Sequence, residues 1–394
     1  MKNLKANFLI IIFFTISCFS YGQVKEQTFE EYQKSENQNF QNYAEQETKA
    51  YEQYVKEEKE GLEKLKKEIE DFWGTGEFKT STKKEWVEYS DDKKARSDVD
   101  FEKGVAKVEI IVDAEEASNM QATSSKLKQQ IEELIQTKGK TKDYSTNMEQ
   151  SKPLSEEPVL INQIENDAGE KVNANNSQDF AEEVVKKNVT KEFITGADGK
   201  RRAKISVSLN LAPDYIKTRA SKYAPLVKKY AMKYNLPEEL VYAVIHTESY
   251  FNPKAKSGAP AYGLMQLVPT SGARDSYLFV YKMDKILPAN YLYDPEKNIE
   301  LGTAYLQLLM KRHFNQVGDN NTKMLCAVAS YNTGAGNLSR AYTGRTNPSA
   351  ALPKINGMSY EENYGFLRYN LPYDETKDYI KKVTQRMMMY QKWK

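Results

Sequence analysis

The chain has 394 residues, 57 Lys and Arg against 55 Asp and Glu, two cysteines and two histidines. Two histidines, His246 and His313, are too few for a metal cluster, and Cys18 and Cys326 are too few for a disulfide framework. The net charge of +2 hides an asymmetry, because residues 212–394 carry 25 basic and 15 acidic side chains while residues 1–211 carry 32 and 40. A basic C-terminal half suits an anionic polymer, such as nucleic acid or a cell-wall glycan, and reads equally as an ordinary solvated basic face.

At the N-terminus, Lys2 and Lys5 precede the apolar run Phe8 to Ile16 and the small or polar residues Ser20-Tyr21-Gly22-Gln23. That is the order of a secretory signal peptide, residues 1–22, with cleavage after Gly22. The apolar run falls short of the about 20 residues a membrane span needs. Ile16-Ser17-Cys18 also resembles a lipoprotein box, although Thr15 stands where Leu is usual, so lipidation at Cys18 is a second reading. No other long apolar run follows, and the expectation is an exported chain, soluble or lipid-tethered. Export argues against nucleic acid, as does the lack of a Gly-rich phosphate loop. Cys326, within the apolar run Met324 to Ala329, reads as a small buried hydrophobe.

Residues 24–72 are strongly charged and carry Phe29, Tyr32, Phe40, Tyr43, Tyr51, Tyr54, Leu62, Leu65, Ile69 and Phe72. The three- and four-residue spacings, with no Pro, predict one long or two shorter amphipathic helices. Gly74 and Gly76 end the pattern. Trp86 to Tyr89 and Val105 to Val112 read as strands, the second placing Val108, Ile110 and Val112 on one face. A partner comes much later, in the alternation of Ile205, Val207, Leu209 and Leu211. Between them, residues 114–200 are polar, with one helix expected near Leu127 to Ile135 and disorder from Thr137 to Pro158. Such an insertion between paired strands is tolerable, because closure entropy grows only logarithmically with loop length. Residues 23–211 are therefore expected to form one α+β domain with a flexible excursion near 114–200.

From Pro213 the pattern becomes helical. Tyr215 to Tyr234 is amphipathic with a break at Pro225, and Pro237 opens the next helix with Glu238 and Glu239 in its first turn. Further helices are expected near Asn298 to Phe314, Lys323 to Tyr331 and Glu375 to Trp393. The fold class is α+β overall, with a mainly α C-terminal half, residues 212–394.

Three short runs carry the chemistry: Glu248-Ser249, Gly263-Leu264-Met265-Gln266 and Ser330-Tyr331-Asn332. On the helix opened by Pro237, Val241, Val244 and Glu248 share the stripe that also buries Ile245, which turns the carboxyl toward the core. A carboxyl at the end of an apolar face is partly desolvated, so its pKa rises and it stays protonated nearer neutrality. A departing glycosidic oxygen needs such an acid. Most glycosidases add a second carboxylate. Asp275, Asp284, Asp294 and Glu300 lie outside the three runs and read as caps or solvated groups, Asp294-Pro295 as helix initiation. The runs offer instead Ser257, Gln266, Tyr331 and Asn332, uncharged hydrogen-bonding groups, and Gly263 for close backbone approach. This inventory suits an amide-bearing sugar that supplies its own nucleophile. A structural reading of Tyr331 and Asn332, as residues that cap and pack a helix end, stands beside it. His246-Thr247-Glu248 copies the H-x-E of zinc deaminases, but the paired-cysteine segment those enzymes need is absent.

Glu248-Ser249, Asn252-Pro253-x-Ala255-x-Ser257, Gly263-Leu264-Met265-Gln266, Asp294-Pro295-x-x-Asn298-Ile299-x-x-Gly302-Thr303-Ala304-Tyr305-Leu306 and Tyr331-Asn332-x-Gly334-Ala335-Gly336 together resemble the catalytic domain of soluble lytic transglycosylases, over about residues 215–345. Phe72-Trp73-Gly74, Trp86-Val87-Glu88-Tyr89, Ala95-Arg96-Ser97 and Val99-Asp100-Phe101-x-x-Gly104 resemble the N-terminal domain of the membrane-bound lytic murein transglycosylase C family. The resemblance implies a lysozyme-like catalytic domain and a lyase that cleaves the MurNAc-β-1,4-GlcNAc bond of peptidoglycan without water, leaving 1,6-anhydro-MurNAc ends. It implies that Glu248 acts first as acid and then as base. It further implies substrate contacts from Ser257, Gly263, Met265, Gln266, Tyr331, Asn332 and Tyr379, with no metal or diffusible cofactor. The expected location is the periplasm, with tethering to the outer membrane if Cys18 is lipidated.

Ser330 departs from the Ala usual before the Tyr-Asn pair. The segment Ser276 to Tyr293, with five aromatic residues, reads as a loop that either borders a glycan groove or fills space beneath it. Two rival readings are a goose-type lysozyme-like hydrolase that uses water, and an inactive wall-binding scaffold whose acidic N-terminal half recruits cell-wall proteins.

Overall fold

The computed structural model describes residues 29–143, 148–153, 157–258 and 260–393. The signal-peptide reading of residues 1–22 and lipidation at Cys18 lie outside the described residues, as do the side chains of Phe29, Tyr32, Phe40 and Tyr43. The chain divides into two units, Met1–Gln46 and Glu47–Lys394. In the first, residues 29–46 are helical.

One long helix, α1 (Phe29–Trp73), ends where Gly74 and Gly76 take positive φ. Strands β1 (Glu85–Tyr89), β2 (Ala95–Asp100) and β3 (Val105–Asp113) follow, then helix α2 (Met120–Gln136). A small ribbon, β4 (Lys140–Asp143) with β5 (Met148–Pro153), precedes helix α3 (Ser177–Lys187) and strands β6 (Thr190–Thr195) and β7 (Arg201–Asn210). The five-stranded sheet is antiparallel in the order β1-β2-β3-β7-β6. The expected pairing across the long insertion holds, with Val108 opposite Val207 and Ile110 opposite Ile205. Alternation then sends side chains both ways. Val108, Ile110 and Val112 pack with Leu127, Ile131 and Leu134 of α2, while Ile111 faces Ile69 and Trp73 of α1.

Two expectations are corrected here. Residues 157–200 are not a flexible excursion, because Val159, Leu160, Ile164, Val172, Phe180, Ala181 and Val184 are buried in the same core as the sheet. Their apolar anchors are scattered in short groups through polar sequence, and only Phe180, Ala181 and Val184 have helical spacing, on the short helix Ser177–Lys187. Within Thr137 to Pro158, where disorder was expected, the described residues include the β4–β5 ribbon. Strand β2 has no apolar alternation because Arg96 occupies an inward position, fully buried and bonded to Glu109 with Nε to Oε2 at 2.8 Å. Strand β6 lies at the sheet edge with almost every side chain exposed, which removes the alternation that marks a half-buried strand.

The C-terminal half is helical: α4 (Tyr215–Lys222), α5 (Ala224–Lys233), α6 (Glu238–Ser249), α7 (Gly272–Tyr281), α8 (Ala289–Leu292), α9 (Pro295–His313), α10 (Asn320–Thr333), α11 (Ala335–Thr343), α12 (Pro348–Asn356), α13 (Tyr360–Asn370) and α14 (Asp374–Gln391). The break between α4 and α5 falls at Tyr223, with Pro225 in the first turn of α5. Asp294 caps α9 by accepting from the Lys297 N–H. The aromatic segment 276–293 is a loop only in part, since its start belongs to α7 and its end contains α8. Tyr277, Tyr291 and Tyr293 pack against Tyr262, Leu267, Leu292 and Leu301, filling space. Cys326 is fully buried and burial pushes its thiol up to about 12, the chemistry of a packed hydrophobe. Among the described residues, no helix is long and apolar enough to cross a membrane.

Candidate active site

Helix α6 forms because Pro237, extended at φ −64°, pre-sets its start and the two glutamates of its first turn favour the dipole's positive end. Seven of its residues from Leu240 to Ser249, among them Val241, Val244 and Ile245, are buried together with Glu248 on the last turn. The chain then leaves through Tyr250 and Phe251, two non-glycine residues with positive φ of 51° and 59°. Glu248 is only 5% exposed. Burial raises its carboxyl to about 7, Lys83 and Tyr379 oppose that rise, and Glu375 adds to it. An acid of that strength is divided between its two forms near neutrality.

The loop beneath the carboxyl is built by hydrogen bonds. Ser249 Oγ donates to the Leu264 carbonyl at 2.7 Å, fastening the end of α6 to the Gly263–Gln266 turn. Asn298, fully buried on α9, accepts from the Met265 N–H at 2.7 Å and donates to the Tyr262 and Leu292 carbonyls at 2.9 and 2.7 Å. Gly263 has φ +76°, and a Cβ there would lie 2.3 Å from the Leu292 carbonyl oxygen. Gly302 is needed for close approach as well, since its Cβ would lie 2.4 Å from Met265 Sδ. Gln266, at φ 48°, donates to the Ala255 and Gly263 carbonyls, while its Oε1 is buried with no hydrogen-bond partner.

Two tyrosines close over the acid. Tyr331 of α10 donates to the Met265 carbonyl at 2.8 Å, and its phenol feels the charge of Glu248. Tyr379 of α14 is buried, its hydroxyl faces Glu248 without a well-formed hydrogen bond, and both phenols are pushed far above their ordinary range by burial. Asn332 Oδ1 accepts from Thr376 Oγ1 at 2.7 Å, joining α10 to α14. Tyr331 and Tyr379 are thus brought beside Glu248, and Tyr331 ties that carboxyl's surroundings to the turn that carries Met265 and Gln266. Asn332 faces α14, Gly263 shapes the turn, and Ser257 is half-buried on the 252–262 loop, where its N–H donates to the Ala261 carbonyl.

The acidic residues set aside from sequence are engaged elsewhere: Asp284 with Arg274, Asp275 with Arg312, and Glu300 with Lys233 and Tyr281. Sequence reasoning missed two groups beside Glu248. Lys83, on the turn before β1, places Nζ 4.0 Å from Glu248 Oε2. Glu375, in the first turn of α14, lies 3.7 Å from the same Nζ. Neither stands in a patterned run. Among the described residues, no cluster of three or more His, Cys, Asp or Glu is placed to hold a metal ion.

Comparison with known proteins gives this arrangement a family. The model of the transglycosylase SLT domain matches residues 225–351, and that of the membrane-bound lytic murein transglycosylase C N-terminal domain matches residues 45–222. The membrane-bound lytic murein transglycosylase C of Sodalis glossinidius is 32% identical, and that of Serratia proteamaculans 31%, each over 82% of this chain and 87% of the relative. Among solved structures, the 70 kDa soluble lytic transglycosylase of Escherichia coli is 27% identical with a TM-score of 0.35, and the match covers 46% of this chain and 26% of that one. The family models account for both halves of the molecule and the curated relatives extend across them, so this chain belongs to the membrane-bound lytic murein transglycosylase C family, enzymes that act on peptidoglycan.

Proposed function

We propose that this enzyme cleaves the MurNAc-β-1,4-GlcNAc bond without water and leaves 1,6-anhydro-MurNAc ends, with Glu248 in both proton-transfer roles. The observation that carries the reading is one buried carboxyl, raised to about 7, with the Tyr331 and Tyr379 phenols beside it. Protonated Glu248 gives its proton to the departing GlcNAc oxygen as the C1–O bond breaks, while the substrate's N-acetyl oxygen supports C1. The resulting carboxylate takes the proton of the MurNAc C6 hydroxyl, whose oxygen bonds to C1 and displaces the acetamido oxygen. One group with a pKa near neutrality serves both steps. Ser257, Gly263, Met265, Gln266, Tyr331, Asn332 and Tyr379 form the proposed glycan-contacting set, with Gln266 Oε1 as a candidate acceptor of a hydrogen bond from a sugar amide or hydroxyl.

The proposed location is the cell envelope, following relatives named as membrane-bound, with export directed by residues 1–22 and Cys18 as the candidate lipid site. Residues 23–211 and 212–394 are proposed as the accessory and catalytic domains. Glu375 is the one specific feature favouring a water-using hydrolase, since it supplies a second carboxylate near Glu248. Its side chain is 74% exposed and paired with Lys83, a poor setting for a nucleophile or base. Mass spectrometry of digested sacculi decides: anhydro ends support the proposal, and reducible MurNAc ends overturn it. Glu248→Gln should abolish solubilisation of sacculi, whereas equal solubilisation by both forms removes Glu248 from its role.

A further inference from the structure

Lys83 reaches the active site from the N-terminal half on a turn that is clamped rather than loose. The Thr82 N–H donates to the Glu85 carbonyl at 3.0 Å, and the Thr82 hydroxyl accepts from the N–H groups of Lys84 and Glu85 at 3.3 and 3.1 Å. Asn252, fully buried and three residues beyond Ser249, donates its side-chain amide to the Thr82 and Glu85 carbonyls at 3.3 and 3.1 Å. The Asn252 N–H donates in turn to the Ser249 carbonyl at 2.9 Å. The turn carrying Lys83 is thereby locked to the end of the helix carrying Glu248. The ammonium lies between two carboxyls, one buried and one solvated, at 4.0 and 3.7 Å.

We propose that Lys83 is a positioning residue of the reaction: an ammonium supplied by the N-terminal half, shared between Glu248 and Glu375, whose place between them governs when Glu248 carries its proton. The proposal rests on Glu248 being the acid. The groups facing that carboxyl are Lys83 from the turn before β1, Glu375 and Tyr379 from α14, and Tyr331 from α10. Arg386, farther along α14, faces Tyr250 and His246. Before the glycosidic bond breaks, Glu248 is neutral and Lys83 is held by the exposed Glu375. Once Glu248 has given up its proton, its negative charge competes for the ammonium, which then supports the carboxylate until it takes the C6 hydroxyl proton. The N-terminal half thereby completes the catalytic centre.

The test is the pH dependence of kcat/KM on purified sacculi, whose alkaline limb reports the acid of the free enzyme. Removing a cation at this distance disfavours the carboxylate, so Lys83→Met should move the limb upward by about one pH unit. Lys83→Arg keeps the charge and should stay near wild type. Glu375→Gln removes an anion and releases the ammonium toward Glu248, so its limb should move downward. A Lys83→Met limb that coincides with wild type, or Met and Arg variants that shift alike, overturns the proposal. The exposed position of Glu375 keeps the test usable if a Lys83 variant folds poorly, since a Glu375→Gln limb that stays put or rises counts equally against it. Glu248→Gln, run in parallel, separates the premises. If it remains active, the reading of Glu248 fails; if it is inactive while the Lys83 and Glu375 limbs do not move, only the role of Lys83 fails.

Discussion

The guanidinium of Arg219 caps helix α6, which carries Glu248, through Tyr250, its Nε donating to the Tyr250 carbonyl at 2.9 Å. A second nitrogen reaches the Phe251 carbonyl at 2.7 Å and a third reaches Gln163 Oε1 at 2.9 Å. The two carbonyls belong to the left-handed residues that follow Glu248, where strain of about 1 kcal/mol or more per residue must be held by the surroundings. Burial lowers Arg219 to about 10, so it stays charged at neutral pH, beside the negative end of the α6 dipole.

Arg219→Leu leaves three buried acceptors unpaired and should lower the unfolding free energy by about 3 kcal/mol or more in urea titrations. Arg219→Lys keeps charge without the fork and should recover less than half of that loss. Wild-type stability in either variant would show that the cap is incidental.

Glu248 should also govern a pH-dependent part of stability. Its native pKa of about 7 lies above the ordinary glutamate value, so the folded chain holds this proton more tightly than the unfolded chain does. The stabilisation is complete below about pH 4 and is lost as pH rises toward 7, up to about 3 kcal/mol in total. Glu248→Gln removes that dependence. The variant's unfolding free energy minus that of wild type should therefore grow by about this amount between pH 4 and 8, and parallel stability curves would contradict the buried, proton-holding carboxyl.

Gly263→Ala tests the turn that carries Met265 and Gln266. A side chain there meets the Leu292 carbonyl oxygen at 2.3 Å and must also adopt φ +76°, so the turn has to shift. Expected outcomes are destabilisation of about 2 kcal/mol and a fall in kcat larger than any rise in KM, from the displaced Met265 carbonyl that holds Tyr331. Thermal unfolding with steady-state kinetics checks both, and unaltered kcat would detach this turn from catalysis.

Legibility in the sequence followed the range of the interactions. Glu248 could be placed inward because its helical register with Val241 and Val244 is local, and the β3–β7 pairing could be foreseen because both strands alternate cleanly. Strand β2 was hidden, since Arg96 occupies an inward position where an apolar residue is the usual signal and is stabilised there by Glu109, thirteen residues away. Lys83 could not have been found, because its place depends on Asn252 gripping the Thr82 and Glu85 carbonyls across some 170 residues. Glu375 reads as an ordinary first-turn acid of a helix, and only the packing of α14 beside α6 gives it a neighbour. The helical reading of the C-terminal half held for the longer helices, but the short α11 to α13 were not anticipated, although Asn347-Pro348 opens α12 and a Ser359–Glu362 capping box opens α13.

Strand β3 is covered on both faces, and Ile111 owes its cover to Ile69 and Trp73 in the last turns of α1. Trp73 also lies 4.4 Å above the Arg96 guanidinium and donates its indole N–H to the Lys93 carbonyl at 2.7 Å. The final turns of α1 are therefore part of the minimal folding unit rather than a leader to it. A chain trimmed to begin after residue 74 would open the middle of the sheet to water and wet the Arg96–Glu109 pair, loosening from behind the hairpin whose leading turn presents Lys83 to Glu248.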